Sequence, residues 1–129
     1  MMKIDPIIAV QDVEASSKWY QSLLGCKSAH GGKEFDMLVD ESGEVLFCLH
    51  KWGIDEHPAM VDSSITPGNG LILYFRTEAL DQKRKNAEIL GAKIEAELHL
   101  NPNSHNREFS LRDPDGYYIT LTEYHNYGG

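Results

Sequence analysis

Apolar and polar positions change period several times along this chain, and each change marks a predicted element. Residues 3–10 form an apolar, β-branched run ended by Gln11 and Asp12, which predicts a strand and then a helix N-capped by Asp12. Val13, Ser16, Ser17, Tyr20, Leu23 and Leu24 follow at helical spacing, with Gly25 as the C-terminal stop. Three short strand-like runs come next, at residues 26–29, 34–40 and 44–50. The last two are joined by Glu41-Ser42-Gly43 as a hairpin turn. The order is βαβββ.

Residues 54–68 hold two prolines and little periodicity, and read as a linker. Beyond them, residues 70–76 predict a strand, and Leu80, Ala87 and Leu90 mark a helix stopped by Gly91. Residues 93–98, 107–113 and 117–124 supply three more strands, with Asp113-Pro114-Asp115-Gly116 as the tight turn. The same order has returned, and subtraction checks it. Leu24-Gly25 matches Leu90-Gly91 at an offset of 91 − 25 = 66, and Gly43 matches Gly116 at 116 − 43 = 73. The expected fold class is therefore α+β: two βαβββ modules forming a curved eight-stranded mixed sheet around a central cavity. Module one spans residues 1–53, the linker 54–68 and module two 69–127, all within a single domain.

Alternation along each strand says which residues line the hollow, because successive side chains point to opposite faces. Leu71, Leu73 and Phe75 form an apolar face suited to the helix, which leaves Ile72, Tyr74 and Arg76 on the other. By the same rule Pro6, Ile8 and Val10 face the helix, while Asp5, Ile7 and Ala9 face the hollow. In the last strand Ile119 and Leu121 go to the helix, and Tyr118, Thr120 and Thr122 go inward. The offset of 73 pairs Phe47 with Thr120, so Val45, Phe47 and Leu49 are expected to face inward too.

Composition narrows the partners. A chain of 129 residues can bury roughly two thirds of its unfolded surface without a disulfide staple. The formal charge of −8, with no cluster of Lys and Arg, gives no attraction to nucleic acid or to an anionic membrane. Met1 to Val10 is too short and polar for a signal peptide, and no apolar run approaches the ~20 residues of a membrane span, so a cytoplasmic location is expected. Cys26 and Cys48 lack a C-x-x-C spacing and read as small buried hydrophobes. Of the six histidines, His99 and His105 flank Pro102, His50 and His57 straddle the start of the linker, and His30 and His125 stand apart. None has the short spacing of a metal-binding helix or knuckle.

Residues Val10-x-Asp12-Val13-Glu14-Ala15-Ser16 through Trp19-Tyr20 and Leu24-Gly25 resemble the opening strand and helix of the vicinal oxygen chelate superfamily. That superfamily includes lactoylglutathione lyase, fosfomycin-modifying enzymes, extradiol dioxygenases and bleomycin-binding proteins. Phe109-Ser110-Leu111-Arg112-Asp113-Pro114-Asp115-Gly116-Tyr117 is similar to its closing hairpin, and Leu49-His50-Lys51-Trp52-Gly53 resembles the lyase branch. The resemblance covers essentially the whole chain. It implies that a metalloenzyme of this kind would hold its ion with side chains on the two opening and two closing strands, which fall here on Asp5, Ile72, Phe47 and Thr120. Ile72 and Phe47 have no donor atom and Thr120 is a poor neutral ligand, so no metal and no other cofactor is expected.

What remains is a hollow with a mixed lining. Asp5, Phe47, Leu49, Ile72, Tyr74, Arg76, Tyr118, Thr120 and Thr122 are its candidate ligand-binding residues, with His105 on a polar, turn-rich loop that is either a lid or plain surface. Such a lining suits a small organic molecule with an aromatic or aliphatic body and an anionic group, which Arg76 would recognise through its planar fork. The leading expectation is metal-independent binding, acting by sequestration or sensing. The alternatives are an enzyme of the same superfamily and an assembly module whose hollow its own side chains fill. The enzyme is either a metal-dependent lyase, isomerase or dioxygenase with a non-standard site, or metal-free with Asp5, Tyr74 or His105 as acid or base. A homodimer is expected, since related proteins commonly pair these modules and open sheets leave edges to cover. Trp19, Trp52 and Pro58 are its candidate contacts.

Overall fold

The computed structural model describes residues 2–53 and 57–124. Positions 54–56 of the expected linker, and His125, lie outside them. The chain divides into two compact units, Met1–Pro67 and Gly68–Gly129. Each carries one helix and one four-stranded mixed sheet, so the eight strands are hydrogen-bonded as two sets of four.

In the first unit β1 (Ile7–Val10) leads into α1 (Val13–Leu24), followed by β2 (Lys27–Ser28), β3 (Phe35–Val39) and β4 (Val45–Lys51). The sheet order is β1-β4-β3-β2, with β1 parallel to β4 and the other pairs antiparallel. The helix begins where Asp12 accepts a hydrogen bond from the Ala15 amide at 3.0 Å, and it ends where Gly25 takes the left-handed conformation at φ 73°. A side chain at that φ would be strained, which is why the stop needs glycine.

Helix α1 lays Val13, Tyr20 and Leu23 against one sheet face, where Ile8, Val10, Leu38, Phe47 and Leu49 are buried. The Tyr20 and Phe47 rings meet edge to face at 4.7 Å. Each such side chain contributes roughly 1.5–3 kcal/mol when fully buried. The polar centre of this interface is Asp36, 2% exposed, whose carboxylate accepts from the Ser17 hydroxyl of α1, the Ser28 hydroxyl of β2 and the amides of Gly31 and Met37. Burial pushes its pKa up, but those hydrogen bonds together outweigh burial and hold the carboxyl below its usual range.

Phe47 and Leu49 therefore face the helix, where alternation counted from the turn had put them on the opposite face. A β-bulge is the reason. Val39 pairs with Val45, but Leu38 pairs with Phe47, so β4 advances two residues while β3 advances one. The extra residue, Leu46, reverses the facing of everything after it. The matching strands of the second unit pair regularly, Arg112 with Tyr118 and Leu111 with Ile119. The offset between modules is thus 73 at the turn and 72 beyond the bulge, which matches Cys48, not Phe47, to Thr120.

Part of the segment read as linker, residues 57–60, is folded onto the first unit. Pro58–Met60 forms a turn of 3-10 helix, the Gly53 amide donates to the Met60 carbonyl at 2.8 Å, and the His57 ring sits 4.9 Å from that of His50.

The second unit repeats the plan with β5 (Ile72–Thr77), α2 (Leu80–Ile89), β6 (Lys93–Leu100), β7 (Arg107–Arg112) and β8 (Tyr118–Glu123), in the order β5-β8-β7-β6. Leu80 and Ala87 of α2 are buried, as are Leu73, Phe109, Leu111, Ile119 and Leu121 of the sheet. Two ion pairs tie α2 to the same side, Arg84 with Glu97 at 2.6 Å and Arg107 with Asp81 at 3.2 Å. The turn before β8 is held by Asp113, whose Oδ1 accepts from the amides of Asp115 and Tyr117. Asp40 does the same work before β4, accepting from the amides of Ser42 and Glu44.

Candidate functional site

Since α2 covers the face that carries Leu73, Phe109 and Ile119, the intervening residues of β5, β7 and β8 share the opposite, helix-free face. Register places them in three rows across the sheet. The first runs Arg76, Thr122, Glu108 and His99. The second runs Tyr74, Thr120, Ser110 and Ala96, and the third Ile72, Tyr118, Arg112 and Lys93. Neighbouring strands lie about 4.8 Å apart, so each row brings three or four strands' side chains within reach of one small molecule.

The rows have a polar floor and a taller edge. Thr120, Thr122, Ser110 and Glu108 are buried, whereas Tyr74, at 40% exposure, Ile72 and Arg76 stand out along the edge strand β5. Two hydroxyls in the floor satisfy each other, Ser110 Oγ and Thr120 Oγ1 at 2.8 Å. Thr122 Oγ1 donates to the Arg107 carbonyl at 3.2 Å, and Glu108 Oε1 accepts from Asn101 Nδ2 at 2.8 Å. Both arginines on this face lie against aromatic rings: Arg76 is 5.1 Å from the centre of Tyr124, and Arg112 is 4.9 Å from that of Tyr118. Arg112 is further fixed by hydrogen bonds to the Gly116 carbonyl and the Glu95 carboxylate. A guanidinium held against a ring keeps its charge and its forked donors while losing little further freedom on binding an anion.

Five of the residues expected from the sequence, Tyr74, Arg76, Tyr118, Thr120 and Thr122, come together here, with Ile72 beside them. Phe47 and Leu49 do not, for the reason given above. Asp5 is an exposed residue ahead of β1 that borders a cleft of about 390 Å³ with Lys3, Glu44 and Val45. His105 stands in the exposed β6–β7 loop at φ 61°, its amide donating to the Asn101 carbonyl, and belongs to none of the three rows. Glu108, Ser110 and Arg112 of β7 were missed, although the alternation of Phe109 and Leu111 with them carries the signal.

The first unit's helix-free face holds the matching rows Ile7, Cys48, Met37 and Ala9, His50, Phe35. Cys48 and His50 are the residues that the bulge turns onto this face, and both are buried. His50 Nδ1 lies 2.8 Å from the Lys51 carbonyl and donates to it. Burial, with the negative charges of Asp5 and Asp36, pushes the Cys48 thiol above its ordinary range, which keeps it protonated and unreactive at neutral pH.

The four positions where a divalent ion would be held do not fit one. Counted past the bulge these are Asp5, Cys48, Ile72 and Thr120: the Cys48 thiol is held above its ordinary range, Ile72 is aliphatic, the Thr120 hydroxyl is engaged with Ser110, and Asp5 is the one carboxylate among them. Among the described residues no group of three or more His, Cys, Asp or Glu side chains is placed to hold a metal. Nor, among them, is any helix long and apolar enough to cross a membrane.

Paired βαβββ units, each with one helix-free sheet face, define a class of proteins built by repetition of this module. The chain belongs to the Glyoxalase/Bleomycin resistance protein/Dioxygenase superfamily, whose family model matches residues 3–121. Solved structures agree on the fold. A glyoxalase/bleomycin resistance protein/dioxygenase family enzyme from Burkholderia phytofirmans PsJN is similar with a TM-score of 0.74 and 21% identity, over 91% of this chain and 94% of that one. A bleomycin resistance determinant encoded on the transposon Tn5 is similar with a TM-score of 0.69 and 16% identity, over 98% and 100%. A protein of unknown function from Agrobacterium tumefaciens str. C58 is similar with a TM-score of 0.72 and 23% identity, over 97% and 95%. Among curated proteins none matches the chain.

Proposed function

We propose that this chain binds a small anionic organic molecule on the helix-free face of its second-module sheet, without a metal ion, and acts by sequestration or sensing. Arg76 meets the anionic group, Tyr74, Tyr118 and Ile72 lie along the ligand's aromatic or aliphatic body, and the Thr120 and Thr122 hydroxyls form the floor. The observation that carries this reading is the three-row arrangement, in which an edge of large, exposed side chains borders a floor of buried polar ones. Fold alone does not select a reaction. The working form is a cytoplasmic homodimer, since β1, β2, β5 and β6 each end a sheet with one side unpaired in its own order.

A thermal-shift screen of carboxylates, phosphates and thiol conjugates tests the binding, with light scattering on the same samples expected to give twice the 14.5 kDa chain mass. A ligand at a hundredfold excess over its dissociation constant stabilises the fold by about 2.7 kcal/mol, a shift of several degrees for a domain of this size. Arg76→Ala is expected to abolish the shift and leave the ligand-free melting point in place. A library with no stabilising compound, or a shift that survives Arg76→Ala, overturns the reading.

A further inference from the structure

Glu108 is a carboxylate in an unusual position. It is 8% exposed, it sits in the floor of the helix-free face, and its hydrogen-bond partner is the neutral amide of Asn101. Among the described residues no cation lies within ion-pair distance of it. Arg107, its chain neighbour, points to the other face and pairs with Asp81. His99, opposite Glu108 on β6, is exposed and directs Nδ1 to the Glu97 carbonyl at 2.7 Å. Arg76 lies in the same row two strands away, separated by Thr122, and does not reach it. A buried carboxylate with only a neutral partner is costly to the fold, because one amide replaces little of the water that two carboxylate oxygens give up. Nothing in the packing of the sheet calls for a charge there, since Thr, Ser or Gln would also fill a polar floor.

We propose that Glu108 is the subsite for a cationic amine, so that the class of ligand recognised is a small organic zwitterion with its anion at Arg76 and its ammonium group at Glu108. The inference rests on the binding reading above and makes it narrower. With two inter-strand spacings between them, Arg76 and Glu108 have backbones roughly 10 Å apart, and their side chains present opposite charges on one face. Thr122, short and fully buried, lies between them in the row. A ligand of this kind supplies the cation that Glu108 lacks, and the carboxylate in turn excludes simple dianions, which would approach it unpaired.

The test is calorimetric titration of the full chain with a panel of ω-amino carboxylates, aliphatic and aromatic, each alongside its desamino and its decarboxy counterpart. The expected result is that the zwitterion binds about tenfold or more tightly than the matching carboxylate, the worth of one charge-assisted hydrogen bond. Glu108→Gln keeps the side chain's shape and its bond to Asn101, and it should remove that preference while leaving the affinity for the simple carboxylate unchanged or raised. If carboxylates bind equally with and without the amine, or if Glu108→Gln leaves the preference intact, this inference is overturned and the binding reading stands. If no member of the panel binds, this inference falls, and the binding reading is decided by the wider screen of carboxylates, phosphates and thiol conjugates.

Discussion

Replacing Asp36 with alanine should cost the fold about 3 kcal/mol, and the structure says where that loss comes from. The carboxylate gathers donors from the α1 helix, from β2, from the Gly31 turn and from its own strand. Ser28 is exposed and the Gly31 amide half-buried, so both recover water when the acceptor goes. Ser17, 4% exposed, does not. It keeps only its role as acceptor for Gln21 Nε2 at 2.9 Å. Stranding one buried hydroxyl costs ~1–3 kcal/mol, and losing the charge-assisted bonds from Met37 and Gly31 adds a similar amount before relaxation. Asp36→Asn should cost less, because an amide oxygen still accepts and the serine hydroxyls can turn to accept from its NH2. The pH dependence has a definite sign. Asp36 has a folded pKa below its usual 3.8, so the stability it contributes is complete above that value and is lost as pH falls through the folded pKa. Urea unfolding of wild type and both variants at neutral pH and in steps below pH 4 reads all of this. A loss under about 1 kcal/mol for Asp36→Ala would refute the reasoning, given the size of one stranded donor. So would a gap between wild type and Asp36→Asn that stays constant into strong acid.

Phe47→Ala should lower stability by about 3–5 kcal/mol, because the ring is 1% exposed against Tyr20, whereas Cys48→Ala on the helix-free face should cost far less; chemical denaturation of both variants reports which residue is core. Gly68→Ala should destabilise the second unit, because the added Cβ would stand 2.6 Å from the Tyr117 ring at a backbone φ of 72°; a melting point equal to wild type would mean that Tyr117 gives way freely.

The repeat was legible because both halves carry the same punctuation. Asp40 and Asp113 hold equivalent turns, and Gly25 and Gly91 close equivalent helices, so counting between them revealed two modules without any tertiary knowledge. Element lengths were less visible. Strand β2 shrank to Lys27–Ser28 while β6 ran on to Leu100, because strand length depends on how much partner strand lies alongside, which local sequence does not record. The linker's docking was invisible for a related reason: the Gly53 to Met60 hydrogen bond joins two backbone groups and uses no side chain that a pattern could show.

The site divides along the same line. In β8 the run Tyr118-Ile119-Thr120-Leu121-Thr122 alternates polar and apolar cleanly, so its phase is fixed by composition and three site residues follow from it. In β4 the run Val45-Leu46-Phe47-Cys48-Leu49 is apolar at every position, so composition accepts either phase and only the count from the turn decides. That count is sound up to Val45 and one residue out after Leu46. The physical outcome is a difference between the modules' helix-free faces: Thr120 and Thr122 on β8 correspond to Cys48 and His50 on β4, while Phe47 and Leu49 go to the core as Ile119 and Leu121 do. Carrying a ligand position over by its distance from a turn therefore chose Phe47, a core residue, for a site it cannot reach. The same error awaits any residue transferred across a bulge between the turn and the site, and an all-apolar strand is where it will pass unnoticed.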